Sequence, residues 1–418
     1  MRCRMAAQVL LWCGVPSLAM GALSAGASQI DITPAAGAHL PMSGYGDRTQ
    51  GHEGVHDALY VRALVVDDGS KRAAVVACET IFIPDLLWKM VSERVSQRER
   101  IPAENLLLTS VHTHGAPALE IADGGKEALT EYGGSVRDAI VEAVRQAAAH
   151  LRPARIGFGA GKANLNINRR ARMADGGYWL GYNPDGPSDK TVGIVRLEDP
   201  SARPIAVLIN YSVHGTIMGS HNLQITGDLP GATSRFVESR LGDGAVALWT
   251  SGAAGDQNPI HRAQGSDFEP VAALGMILGE EAVRVARTVR MSQYAHIRGA
   301  QKVFSCPGQQ VMPGPLPRAT YEFKAADPVP IRLSLLMIGH VALAGVSGEV
   351  LTKIAERLKS ESPFSQTLML THCNGSSGYL PDDAAYKQIS YEIAVSGVQK
   401  GCAEDGIVNG ILNLMDHE

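Results

Sequence analysis

Aromatic residues are scarce in this chain. Phe occurs 7 times in 418 residues, and Phe, Trp and Tyr together make up 5%. Charge of one sign does not accumulate either. The chain has 38 Lys and Arg against 42 Asp and Glu, a formal charge of -4, and no long single-sign run. Nucleic acid and anionic membrane surfaces are therefore not indicated as partners. Beyond the first residues, no segment has the length and apolarity of a membrane span. Internal repeats and low-complexity linkers are missing too. Cysteine is sparse, with 6 in all, and Cys3 and Cys13 lie in the N-terminal stretch. The remaining Cys78, Cys306, Cys373 and Cys402 allow three pairings, between which sequence does not choose. Cys78 sits in the apolar run AAVVACETIFI and suits a buried thiol as well as a bridge.

What is present is an ordinary globular composition, 45% hydrophobic and 19% charged, with 45 Gly. It suits a turn-rich α/β protein better than a coiled coil or bundle. The N-terminus reads as an export leader: Arg2 and Arg4, an apolar stretch from Met5 to about Ala22, then a small-residue cleavage site at Ala25-Gly26-Ala27. The expected organisation is a cleaved signal over residues 1–27 and one domain over 28–418, periplasmic or extracellular.

Apolar β-branched runs predict strands at 60–66, 73–83, 105–111, 204–210, 245–251, 331–339 and 340–346. Helical periodicity predicts helices at 85–97, 135–151, 267–289 and 350–360. The mix implies an α/β fold, a β-sheet core covered by helices, with the active site at the carboxyl ends of strands. Four of these strands run into short polar or glycine-rich motifs: His112-Thr113-His114-Gly115, His214-Gly215-Thr216, TSGAAGDQNP (250–259), and Glu349 ahead of a helix. His112 and His114 would share a face if the strand continued. With His214 and Glu349 they make a candidate zinc set, since imidazole and carboxylate suit zinc and leave a position for water. The same histidines are also compatible with exposed or hydrogen-bonded loop positions. The tip of the turn, Asp256-Gln257-Asn258, offers no Ser, Cys or Thr to act as a nucleophile.

In family order, the motifs Asp31-Ile32-Thr33-Pro34, Met42-Ser43-Gly44-Tyr45-Gly46, His112-Thr113-His114, Asn166-Ile167-Asn168-Arg169, Val213-His214-Gly215 with Gly227-Asp228, Gly348-Glu349, and Gly378-Tyr379 with Tyr391-Glu392 resemble the catalytic domain of the neutral (non-lysosomal) ceramidases. The resemblance implies one zinc ion per chain, with His112, His214, Glu349 and Tyr379 as its ligands. It implies His114 in proton transfer, and Arg169 and Tyr391 holding the reacting oxygen. Asp228 is expected to orient a ligand or its turn. Asp256 and Asn258 are expected to face the substrate. His56 lies near a family motif but fits a core histidine equally well, and His221, His261, His340 and His372 are given no role.

Two departures from the pattern bear on substrate. Asn258 stands where ceramide-cleaving members carry a serine; an amide cannot form an acyl-enzyme but can donate to an oxyanion. The chain also stops before the family's C-terminal immunoglobulin-like domain. The resulting expectation is an exported zinc hydrolase that cleaves an amide bond of a small-molecule or lipid N-acyl substrate, ceramide foremost, by attack of zinc-bound water. Hydrolysis of another amide or an ester, or a catalytically silent metal-containing binding protein, remain the alternatives.

Overall fold

A computed structural model describes residues 22–123, 126–318 and 320–416. One arrangement recurs three times along it. The first unit contains β1 (Ser24–Asp31), β2 (Tyr60–Asp67), β3 (Arg72–Cys78), α1 (Asp85–Glu99), β4 (Leu106–Ser110) and α2 (Glu131–Ala149). Its strands order as β4-β3-β2-β1, with β3 and β4 parallel across α1 and the other pairs antiparallel. The second unit opens with β5 (Arg155–Lys162) and carries an inserted strand pair, β6 (Asn166–Arg172) and β7 (Tyr178–Asn183). It continues with β8 (Thr191–Glu198), β9 (Pro204–Tyr211), α3 (Asp228–Leu241) and β10 (Val246–Ser251). The short β11 (Gln257–Pro259) and α4 (Glu269–Ala286) complete it. Its main sheet orders as β10-β9-β8-β5, again with one parallel pair across a helix.

The third unit has β12 (Ile297–Val311), β13 (Phe323–Ile338), β14 (Val341–Val346), β15 (Glu349–Val350), α5 (Thr352–Glu361) and β16 (Thr367–Leu370). Then follow β17 (Tyr379–Leu380), α6 (Tyr391–Val395) and α7 (Ala403–Asp416). The order β16-β14-β13-β12 repeats the topology of the other two sheets. No repeat is visible in the sequence; it exists in topology alone.

The long apolar runs follow from burial on both faces. In β2, Leu64 and Val66 point into the core shared by the three sheets, while Val61, Ala63 and Val65 point to the core under α1 and α2. The third sheet packs its other face on α5 and α7. The fourth strand of each unit meets the others at its carboxyl end. Ser251 Oγ donates to Val111 O (3.1 Å), Thr371 N to Ser251 O (2.9 Å) and Thr109 Oγ1 to Thr371 O (2.9 Å). Strand ends of all three sheets thus converge on one place.

Several sequence boundaries shift for local reasons. The strand expected over 73–83 ends at Cys78, where Thr80 N turns back to Cys78 O (2.8 Å). α2 begins at Glu131 rather than 135 because the Thr130 side chain caps it by accepting from Gly133 N. The cleavage site expected at Ala25-Gly26-Ala27 falls inside β1, which pairs with β2 from Ser24 onward, and Leu23 and Ala25 are buried. Residues 24–27, expected to leave with the signal, are thus part of the first sheet in this structure. The rest of the leader reading lies on residues 1–21, outside the described residues. The cysteine question resolves as a Cys306–Cys402 disulfide, with Cys78 and Cys373 buried thiols.

Candidate active site

His112 does not lie in a continuing strand. β4 ends at Ser110, and His112 has a positive φ of 60°. The turn still brings the two imidazoles together, with Nε2 of His114 3.4 Å from Nε2 of His112. Carbonyls fix the ring orientations of the two buried histidines expected as ligands. His112 Nδ1 donates to Ile81 O (2.7 Å), and His214 Nδ1 faces Ala254 O (2.8 Å) and Gln257 O (3.1 Å). A carbonyl can only accept, so each Nδ1 carries the proton and each Nε2 presents a lone pair. Both lone pairs face Glu349 Oε2, at 3.4 Å from His112 and 3.2 Å from His214. That oxygen is buried and receives no hydrogen bond.

Three acceptors so close, with no proton between them, fit a cation. A tetrahedral site with bonds of about 2.0–2.2 Å has ligand–ligand edges of about 3.3–3.6 Å. Charge states agree with this. Burial, reinforced by the Arg169 charge, lowers the His214 ring to about 4, so it stays neutral. Neutral imidazole beside ionised carboxylate is the state that binds a metal.

The other expected residues surround this point. β15 and β17 pair Glu349 with Tyr379, and the Tyr379 hydroxyl accepts from Arg169 Nη2 (2.9 Å). Arg169 Nη1 lies 3.2 Å from His214 Nε2. Tyr391, the first residue of α6, sets its ring edge-on to Tyr379 at 5.8 Å. Its hydroxyl pKa is raised by burial, so it remains a donor. His114 differs from the two anchored histidines, since its Nδ1 is buried without a partner. His112, His114, Arg169, Glu349, Tyr379, Tyr391 and Asn258 all line one cavity of about 770 Å³. Asp228 stands behind it and accepts from Ile217 N (3.1 Å) and Met218 N (2.9 Å), which fixes the turn after His214.

Asp256 does not face this cavity. Its carboxylate is turned inward to Thr352 Oγ1 (2.6 Å) and Asn168 Nδ2 (3.0 Å), and the side chain is 1% exposed. It ties the turn to α5 and β6. Three residues without an expected role do matter here. His372 stacks on His112 with ring centroids 3.9 Å apart, and its ring nitrogen, one from His112 and a Glu349 oxygen lie within 4.8 Å of one another. It follows β16 as His112 follows β4, so the strand-end rule would have found it had TLML been recognised as a strand. Glu392 is fully buried and pairs with Arg169 Nε at 2.6 Å. Arg262 lines the cavity beside Tyr45. His56 is exposed and stacks on Phe268, away from the cavity.

A family profile described as "Neutral/alkaline non-lysosomal ceramidase, N-terminal" matches residues 23–267, more than half of the chain. The chain belongs to this ceramidase family. The match takes in His112, His114, Arg169 and His214; Glu349, Tyr379 and Tyr391 lie beyond it. Among curated relatives, neutral ceramidase A of Dictyostelium discoideum is 32% identical over 225 residues, covering 50% of this chain and 30% of its own length. The neutral ceramidase of Mycobacterium tuberculosis is 29% identical over 246 residues, covering 53% and 36%. The matched stretches thus span about a third of these relatives. The crystal structure of neutral ceramidase from Pseudomonas aeruginosa superposes with a TM-score of 0.78 at 16% identity, covering 94% of this chain and 74% of that one. At that identity the likeness establishes the ceramidase fold, and the α/β architecture expected from sequence agrees with it.

Proposed function

We propose that the protein is a zinc hydrolase of N-acyl amides, with a ceramide-like N-acylsphingosine as the leading substrate. The observation that carries this reading is the convergence of His112 Nε2, His214 Nε2 and Glu349 Oε2 without a proton among them. A zinc ion held there, with Tyr379 beside it, would supply Lewis acidity and make water acidic near neutral pH. The chain's own residues do the rest. Arg169, fixed by Glu392, and the protonated Tyr391 hydroxyl donate to the amide oxygen as it gains charge. His114, kept neutral by burial and with a free Nδ1, would take the proton released by the attacking water and pass it to the leaving nitrogen. Asn258 adds an amide donor at the cavity wall. No protein nucleophile is required, which accommodates Asn258 in the serine's place.

Export accompanies this reading. The Cys306–Cys402 disulfide suits an oxidising compartment, and leader removal would fall before Leu23. Among the described residues no helix is long and apolar enough to cross a membrane. Asn258 also favours a second reading, a metal-containing binder without turnover. A panel of N-acyl amines, short-chain ceramide and matched esters, with products identified by mass spectrometry, separates the two. Release of fatty acid from amides, abolished in His214→Ala, is the expected result. Zinc-loaded protein that cleaves nothing on the panel would support the binder.

A further inference from the structure

We propose that Thr216, Asn258 and Arg262 form a subsite for an anionic group on the substrate, a carboxylate or phosphate close to the scissile amide. This rests on the cavity being an N-acyl hydrolase site. The lining of the cavity divides by chemistry. Ile81, Phe82 and Leu180 give it an apolar portion suited to an acyl chain. Thr216, Asn258 and Arg262 give it a polar, cationic one.

These three residues are brought together by backbone pairing. The segment 257–263 runs beside 214–217, held by His214 N to Gln257 O (3.1 Å) and Ala263 N to Ile217 O (2.8 Å). Thr216 is 4% exposed, and its Oγ1 is buried with no hydrogen-bond partner. Buried hydroxyls are ordinarily satisfied, so one left open on a cavity wall awaits a ligand atom. The charges lining the cavity are otherwise matched. Arg169 is paired by Glu392, and Glu349 would be matched by the cation proposed between it, His112 and His214. Arg262 makes no ion pair among the described residues. Its partner is the Tyr45 hydroxyl, which itself donates to Met218 O (2.8 Å). A guanidinium with free donors, an open hydroxyl and an amide side by side form a donor set for an oxyanion.

The test compares N-dodecanoylglycine with the isosteric neutral N-dodecanoylglycinamide, and N-dodecanoylphosphoethanolamine with N-dodecanoylethanolamine. Wild-type protein should prefer the anionic member of at least one pair by tenfold or more in kcat/KM, and the pair that shows it tells carboxylate from phosphate. Arg262→Gln and Thr216→Val should each reduce that preference at least fivefold, chiefly through KM. Calorimetric binding of the two anionic compounds to wild type and Arg262→Gln gives a readout independent of turnover. Equal kcat/KM within both pairs, or binding unaltered by Arg262→Gln, would overturn the subsite. Failure to cleave any compound, with Arg262-dependent binding retained, would reject the hydrolase reading and keep the subsite.

Discussion

Glu392 and Asp228 are both carboxylates shut away from water, for different reasons. Glu392 neutralises and aims Arg169, with Nε at 2.6 Å. Glu392→Gln should lower kcat by roughly 10–100-fold, the usual effect of removing a group that orients a site residue, with zinc content unchanged. Metal analysis beside steady-state kinetics checks this, and loss of zinc together with activity would assign Glu392 a different role. Asp228 instead holds the turn after His214. Burial raises its carboxyl from 3.8 to about 6, despite three backbone donors. A carboxyl raised on folding contributes stability that is complete below about 4 and is lost as pH rises through about 6. The shift of about two units corresponds to about 3 kcal/mol. The stability advantage of wild type over Asp228→Asn should therefore widen by up to that amount between pH 7 and pH 4. Urea unfolding at the two pH values measures it, and a gap that narrows on acidification contradicts the assignment.

Among the elements, the Cys306–Cys402 bridge joins the long β12–β13 hairpin to the chain just before α7, across 96 residues. Closing a loop of that length limits the unfolded chain by up to about 4–5 kcal/mol. Cys306→Ser with Cys402→Ser should lower Tm by several degrees while leaving zinc stoichiometry intact, since neither cysteine lines the cavity; calorimetry of the two forms decides. The elements readable in sequence were those buried on two faces, because such strands become unbroken apolar runs: 60–66, 204–210 and 245–251 all correspond to strands. α3 escaped because DLPGATSRFVESRL interrupts its periodicity with Pro and Gly. β16 is only four residues long, and with it went His372. For Asp256, sequence identifies the turn but says nothing about which way the carboxylate points, and it points inward to Thr352 and Asn168. Of the proposed ligands, His112, His214 and Glu349 were legible because each follows a buried strand, and Tyr379 only through the family resemblance; their mutual distances depend on how three sheets meet.

For the whole molecule, the decisive feature is that the candidate metal site draws on all three units: His112 from the first, His214 from the second, Glu349 and Tyr379 from the third. An ion bound there would tie together elements far apart in the chain, so zinc should raise Tm, and continue to raise it with the logarithm of free zinc once the site is full. The most direct test is titration of metal-stripped protein with zinc, following release of fatty acid from an N-acyl amide. No turnover is expected in the stripped protein and full recovery at one equivalent of zinc per chain, with His214→Ala recovering little. Undiminished turnover by protein shown to be free of metal would contradict it.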